Sequence, residues 1–331
     1  MKRFYSAIKY ILLLAVAGVF LWATFKGVKW ADFLAGIRSA NFWWIGVSML
    51  GGILAFFIRA LRWRLIMIPL GKHVKVVDCW DGVNIGYLTN FAIPRAGELA
   101  RCGVVSKKTG IPFETVAGTV VLERSIDMIS LILVTLSVIL FSWDTFGAFI
   151  NREILSALEK KFSVNLAWMA AAVVLAFFIF SYIVYRYRKS HPILIKINEI
   201  VKGIIKGVLS GFKMPQKWLF LIYTILLWLC YWLMSWTTIM AFPAVYGLGA
   251  ADALFLMMVG SLGWLVPVQG GIGAYHFVIS LALASVYGIT QTTGVIFATI
   301  SHESQVITML ICGFLSLISF SLSKRKQKNN I

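Results

Sequence analysis

Residues 90–129 read NFAIPRAGELARCGVVSKKTGIPFETVAGTVVLERSIDMI, and the fold turns on them. An apolar segment ends at a Pro94-Arg95-x-Gly97-Glu98 turn. A short basic segment follows, and a second apolar segment then carries Glu123, Arg124 and Asp127. An ionised side chain inside a membrane span costs roughly 2.5 to 3.5 kcal/mol on insertion scales, so three within five positions need partners or water. Two readings stay open: the charges pair to lock a helix bundle, or they meet a headgroup or a proton.

The rest of the chain supports a membrane setting. It has 331 residues, 60% of them hydrophobic, and a mean hydropathy of +0.85, which excludes an ordinary soluble domain. The net charge of +18 lies in short connections between apolar runs, as expected of cytoplasmic loops facing anionic lipid. That placement argues against a nucleic-acid partner. Cys79, Cys102, Cys230 and Cys312 are far apart and have no metal or redox spacing, so they read as packing residues. No A-x-A site follows the first apolar run, which predicts an uncleaved span.

Hydropathy predicts an all-α integral membrane protein with about six full spans, near 4–24, 42–67, 115–141, 164–186, 218–242 and 292–322. Residues 76–110 and 251–288 do not fit as simple spans. Within the first, residues 76–93 contain Asp78, Asp81, Gly82, Asn84, Gly86 and Asn90 and lie between two basic clusters, Arg59 to Lys75 and Arg95 to Lys108. A re-entrant hairpin entering from the cytoplasm puts both clusters on one side, with its tip at Pro94 and Gly97. The second is broken by Pro267-Val-Gln269-Gly270-Gly271-Ile-Gly273 and is expected to enter from outside. Broken backbone at membrane depth survives where it is buried in protein or lines a wet cavity. Two opposed hairpins, each between two spans, predict an inverted repeat and a transporter site. The expected organisation is a first half at 1–186, a basic amphipathic linker helix at 187–217 and a second half at 218–331, with both termini cytoplasmic. An amphipathic outer helix is expected at 142–163.

Glu123 falls about 8 residues, or roughly 12 Å, into its span. It shares a face with Asp127 at i+4. Arg95 and Arg101 could hold a lipid phosphate with a guanidinium fork, and Glu98 could pair with Arg101 or meet a cationic headgroup. The alternative is that these three are surface charges. The glycines at 270, 271 and 273 could offer backbone N–H groups to an anion or simply allow close helix packing. His276, His302 and Glu303 complete the candidate set; a lone His in a helix is commonly a packing residue. No P-loop, H-E-x-x-H or G-x-S-x-G motif occurs, so neither ATP hydrolysis nor acyl transfer is expected, and no metal or cofactor.

The run Asn90-x3-Pro94-Arg95-x-Gly97-Glu98-x2-Arg101, then Leu122-Glu123-Arg124 and Asp127, together with Pro267 to Gly273, resembles the lysylphosphatidylglycerol synthase transmembrane-region family, also called the flippase-like domain family. The resemblance covers nearly the whole chain. It implies a lipid-translocating domain of a bacterial or archaeal cytoplasmic membrane. In bifunctional relatives that domain is fused to an aminoacyl-transferase, which is expected to be absent here because the chain ends at Ile331. The implied partners are anionic or aminoacylated phospholipids, and beyond those a second copy of the chain or a separately encoded lipid-synthesis enzyme. Two positions depart from the family pattern: His276 stands where a glutamate is common, and His302-Glu303 where an arginine is usual. The expected activity is movement of a charged-headgroup amphiphile between leaflets, driven by membrane potential or by a proton gradient acting on Glu123, Asp127 or Glu303. The rivals are an integral-membrane lipid-modifying enzyme with Glu98 or Glu123 as general base, and a noncatalytic subunit of an envelope complex.

Overall fold

A computed structural model describes residues 2–70, 73–141, 143, 147, 175 and 214–329. The expected outer helix at 142–163, the span at 164–186 and most of the linker at 187–217 lie outside the described residues. Within them the chain is all helical, with no strand. The elements are α1 (Lys2–Phe25), α2 (Trp30–Ser39), α3 (Phe42–Met67), α4 (Val76–Ala92), α5 (Gly97–Thr109), α6 (Phe113–Phe141), α7 (Lys217–Met240), α8 (Ala250–Leu265), α9 (Ala274–Tyr287) and α10 (Gln291–Asn329).

Among the described residues, four segments are long and apolar enough to cross a membrane: Phe42–Leu70, Lys217–Met240, Gln269–Tyr287 and Gln291–Ser323. Leu14–Phe25 and Trp30–Ser39 form a fifth if that pair, bent by 85°, is one span. The protein is therefore a multi-pass membrane protein. Residues 30–39, which lie between the first two expected spans, are helical. Their charges fall at the helix ends, Asp32 in the first turn and Arg38 in the last, where each favours the helix dipole. The α9 leg, expected to be too short for a span, reaches 19 residues once the single 3-10 turn before it is included.

Both expected breaks occur. The residue before Pro94, Ile93, is extended (φ −133°, ψ 109°), as sterics before proline require. Arg95 then takes φ 66°, the left-handed region, and α5 starts at Gly97. Between α8 and α9, Gly270, Gly271 and Gly273 all have positive φ (56°, 74° and 81°). Each hairpin closes on small residues. A Cβ on Gly97 would collide with the Gly86 carbonyl and with Asn90. A Cβ on Gly263 would sit 2.8 Å from Tyr275 Cα. The helix that opens each hairpin is capped alike: Lys75 N–H donates to Asp78 Oδ2 (3.0 Å), and Gly249 N–H to Asp252 Oδ2 (2.8 Å).

The spine is an antiparallel pair, α3 with α7. Asn41 N–H donates to the Ala241 carbonyl (2.8 Å) at one end. Ser48 reaches the Met234 carbonyl (3.1 Å) further along, and Arg62 lies over Phe220 toward the other end. Two main cores flank this spine. One gathers Trp63, Val83, Val105, Val120 and Phe220 around α4 and α5; the other gathers Phe255, Ile279, Leu283 and Phe297 around α8 and α9.

Candidate functional site

The first cluster is built where α3, α5 and α6 converge. Arg59 and Arg62 are one turn apart on α3, and Glu123 and Asp127 one turn apart on α6, so each pair projects from one face. All four carboxylate oxygens receive a guanidinium. Glu123 Oε1 accepts from Arg59 (2.7 Å) and Arg62 (3.2 Å), and Oε2 from Arg101 (2.7 Å). Asp127 Oδ1 accepts from Arg62 (2.5 Å) and Oδ2 from Arg59 (2.9 Å). Arg59 also donates to the Tyr231 hydroxyl of α7 (3.1 Å). Arg101 stacks 3.8 Å from the Trp63 ring, whose Nε1 in turn donates to Thr119 (2.9 Å). Glu123 is 0% exposed.

This geometry corrects two expectations. Arg59 and Arg62, read as cytoplasmic markers, are buried, because each finds carboxylates on α6. Glu123 faces neither a wet cavity nor Arg124; it is enclosed by three other arginines. Arg124 points away, with its side chain 41% exposed, and lies 3.7 Å from Glu98 and 3.7 Å from Asp127. Arg59, Arg62 and Tyr231 were missed as site residues. The signal for the first two was present: arginines at i and i+3 inside an otherwise apolar helix need a partner of the same period. Asp78 and Asp81 are held by Lys108 (3.2 and 2.6 Å), and Asp81 also accepts from Ser319 of α10 (2.9 Å).

Glu98 and Arg124 stand on a groove between α5 and α6. The groove is open, has a volume of about 630 Å³ and is otherwise lined mainly by apolar side chains, among them Leu99, Val120, Val121, Met128 and Ile129. A second, tight cavity of about 10 Å³, about one water in size, lies between Asn90, Gly97, Glu98, Arg101 and Arg124.

The two hairpin tips touch. Arg95 donates to the Leu265 carbonyl at the end of α8 (2.8 Å), a group left without an intrahelical partner. Phe91 packs on Gly270, where a Cβ would lie 2.8 Å from its ring. Pro94 sets the first turn, and Asn90 closes it by accepting from Gly97 N–H (2.6 Å). The glycines therefore act as packing and turn residues here, with Gln269 in the same 3-10 turn.

The second cluster lies behind that tip. His302 is fully buried and stacks on Trp264 (5.2 Å, 23°). Its Nε2 meets the Gly270 carbonyl at 2.7 Å and its Nδ1 meets Glu303 Oε1 at 2.9 Å. His276, also buried, has Nε2 3.8 Å from the same oxygen. A carbonyl only accepts, so His302 Nε2 carries a hydrogen, and in the neutral ring Nδ1 is a lone pair aimed at the carboxylate. The site residues thus form two clusters, Glu98 to Asp127 and His276 to Glu303, joined through the hairpin tips.

Residues 10–313 match the family described as Lysylphosphatidylglycerol synthase TM region. The chain belongs to that family. No curated protein and no solved structure matches it. The lysylphosphatidylglycerol synthase TM region spans both clusters and both hairpins.

Proposed function

We propose that this protein moves a phospholipid, or another amphiphile with a charged headgroup, between membrane leaflets. The observation that carries this reading is the α5–α6 groove. It is apolar along its walls, yet its lining includes an accessible carboxylate and guanidinium, Glu98 and Arg124, that no short ion pair consumes. Apolar walls suit acyl chains, a guanidinium suits a phosphate and a carboxylate suits an amine. Behind it, three guanidinium groups face two carboxylates, so the buried cluster keeps one excess positive charge that favours an anionic headgroup nearby. Glu123 holds the three arginines in place and does not itself meet the lipid.

The two halves act as an inverted repeat. Exchanging α3, α4, α5 and α6 for α7, α8, α9 and α10 preserves most of the packing partners: each hairpin packs on the helix before it, on the helix after it, and on the last helix of the other half. The antiparallel run of α3 and α7 supports inversion. The setting is a bacterial or archaeal cytoplasmic membrane with both termini inside, and the chain carries no covalent chemistry of its own.

Protein reconstituted in liposomes with a headgroup-labelled phospholipid tests the function. Leaflet exchange with unchanged lipid mass is expected. A changed lipid mass makes the protein an enzyme instead, and no exchange across anionic, zwitterionic and aminoacylated lipids removes the reading. Cysteine labelling checks the topology: residues 73–75 and 107–110 should react from the same side.

A further inference from the structure

We infer that His276, His302 and Glu303 form a binding site for a divalent transition-metal ion of the zinc class, seated behind the tip of the second hairpin. One ligand atom from each lies within 4.8 Å of the others. His302 is the anchor of the site. Its Nε2–H is committed to the Gly270 carbonyl, which leaves Nδ1 facing Glu303 Oε1 at 2.9 Å. A lone pair facing a carboxylate at that distance repels unless a cation lies between or beside them.

A proton shared between His302 Nδ1 and Glu303 Oε1 would satisfy that pair as well, so the metal rests on the third group: a second imidazole converges on the same oxygen at 3.8 Å, beyond hydrogen-bond reach. His276 is 3% exposed, and its Nδ1 has no hydrogen-bond partner among the described residues. A metal on Nε2 would give this buried imidazole a strong contact on the side that faces Glu303 and leave Nδ1 as its N–H. Two ligand atoms each about 2.0–2.2 Å from one ion at a tetrahedral angle are about 3.4 Å apart. The observed 2.9 and 3.8 Å bracket that spacing, and the two imidazole nitrogens lie within 4.8 Å of each other.

One of the two imidazoles already has the outer-shell bond that metal sites favour. A ligating histidine usually gives its other N–H to a carbonyl or carboxylate, which is the Gly270 bond here. Two imidazoles and one carboxylate suit Zn²⁺, Co²⁺ or Ni²⁺ and not Ca²⁺ or Mg²⁺, which need more oxygens. The Glu303 side chain is 47% exposed, so a fourth position remains open. A bound ion would tie α9 and α10 to the Gly270 turn, and through Phe91 to the first hairpin. The inference does not depend on the transport reading.

The test uses the full chain in detergent, affinity tag removed, stripped with a chelator and then titrated with Zn²⁺. The chain has only four histidines, so background sites are few. One Zn²⁺ per chain is expected, with a raised unfolding temperature and, on Co²⁺ substitution, the visible bands of a tetrahedral site. Mg²⁺ should do none of this. His276→Ala and Glu303→Gln should each weaken Zn²⁺ by more than the roughly 10- to 100-fold that loss of an outer-shell partner costs. If His276→Ala does not fold, Glu303→Gln carries the comparison, because that side chain is half exposed. Folded wild-type protein that binds no Zn²⁺ at micromolar free metal overturns the inference. So does Zn²⁺ bound equally well by wild type and the folded variants.

Discussion

The two halves of this protein solve one problem in opposite ways. In each, the second leg of a hairpin presents a nitrogen to a glutamate on the following helix: Arg101 to Glu123 at 2.7 Å, and His276 to Glu303 at 3.8 Å. In the first half the glutamate is sealed, 0% exposed, and every carboxylate oxygen has a guanidinium. In the second half the glutamate is half exposed and its neighbours are two imidazoles with no permanent charge. A permanently charged, saturated knot is suited to hold helices together. An unsaturated one is suited to accept something. The comparison gives the buried knot of Arg59, Arg62, Arg101, Glu123 and Asp127 the geometry of a structural lock and leaves the His276–His302–Glu303 cluster unsaturated, although the sequence presents both as a glutamate after a Pro-Gly turn.

The largest expected effect on stability breaks the first knot. Glu123→Gln leaves Arg59, Arg62 and Arg101 with only Asp127, and removing one partner of a buried ion pair costs roughly 3–5 kcal/mol. Glu303→Gln touches a half-exposed group, and exposed pairs contribute under about 1 kcal/mol. Thermal unfolding in detergent should therefore separate the two variants widely. The double variant Glu123→Gln with Arg101→Gln should recover part of the loss. Adding Arg124→Gln to Glu123→Gln should recover nothing, since Arg124 is not the partner. Equal effects of Glu123→Gln and Glu303→Gln would remove the contrast between the halves.

Next come the hairpin seams, where the halves should behave alike. Gly97→Ala would push a methyl into the Gly86 carbonyl, and Gly263→Ala would place one 2.8 Å from Tyr275 Cα. Overpacking of this kind costs about 1–3 kcal/mol. Gly103→Ala, at a position with open space, should be neutral or slightly stabilising by helix propensity. Unfolding midpoints of the three decide whether close backbone approach fixes both hairpins.

A smaller effect concerns the junction of the tips. Arg95 holds φ 66° and also donates to the Leu265 carbonyl. Arg95→Ala loses the hydrogen bond, worth about 0.5–1.5 kcal/mol, and keeps the backbone strain. Arg95→Gly loses the same bond but relieves a left-handed conformation that costs an L-residue about 1–2 kcal/mol. The glycine variant should unfold above the alanine variant. The reverse order would mean that the left-handed backbone at this position carries no strain for glycine to relieve.

Much of this was legible in the chain, for identifiable reasons. The boundaries of α3, α4, α7 and α8 follow from apolar runs ended by Pro or Gly, a local signal. Asp32 and Arg38 hid α2, because charges at helix ends read as loop charges. The partners of Glu123 were not legible. Arg59 and Arg62 lie some sixty residues earlier, and a basic cluster near a span end looks the same whether it faces lipid headgroups or buried carboxylates. Only the packing of α3 against α6 tells the two apart. His302 and Glu303 were visible as a pair, but the convergence of His276 and the commitment of His302 Nε2 to Gly270 depend on the second hairpin folding back.

The smallest expected effect on stability falls at Glu98 and Arg124, and it sharpens the comparison most. They lie 3.7 Å apart with side chains 34% and 41% exposed, so neither Glu98→Gln nor Arg124→Gln should cost more than about 1 kcal/mol of stability. If the pair is only a clip between α5 and α6, the double Gln variant should exchange lipid like the wild type. If Arg124 takes the phosphate and Glu98 the amine of a passing headgroup, the two single variants should differ by substrate. Arg124→Gln should slow exchange of every phospholipid. Glu98→Gln should slow zwitterionic and aminoacylated lipids while leaving a purely anionic lipid nearly unchanged, because no amine seeks that carboxylate. The measurement is dithionite quenching of labelled lipids of each headgroup class in liposomes, with variants matched for unfolding temperature. Uniform loss across all lipids in Glu98→Gln would show that its carboxylate serves to position Arg124 and does not meet a headgroup.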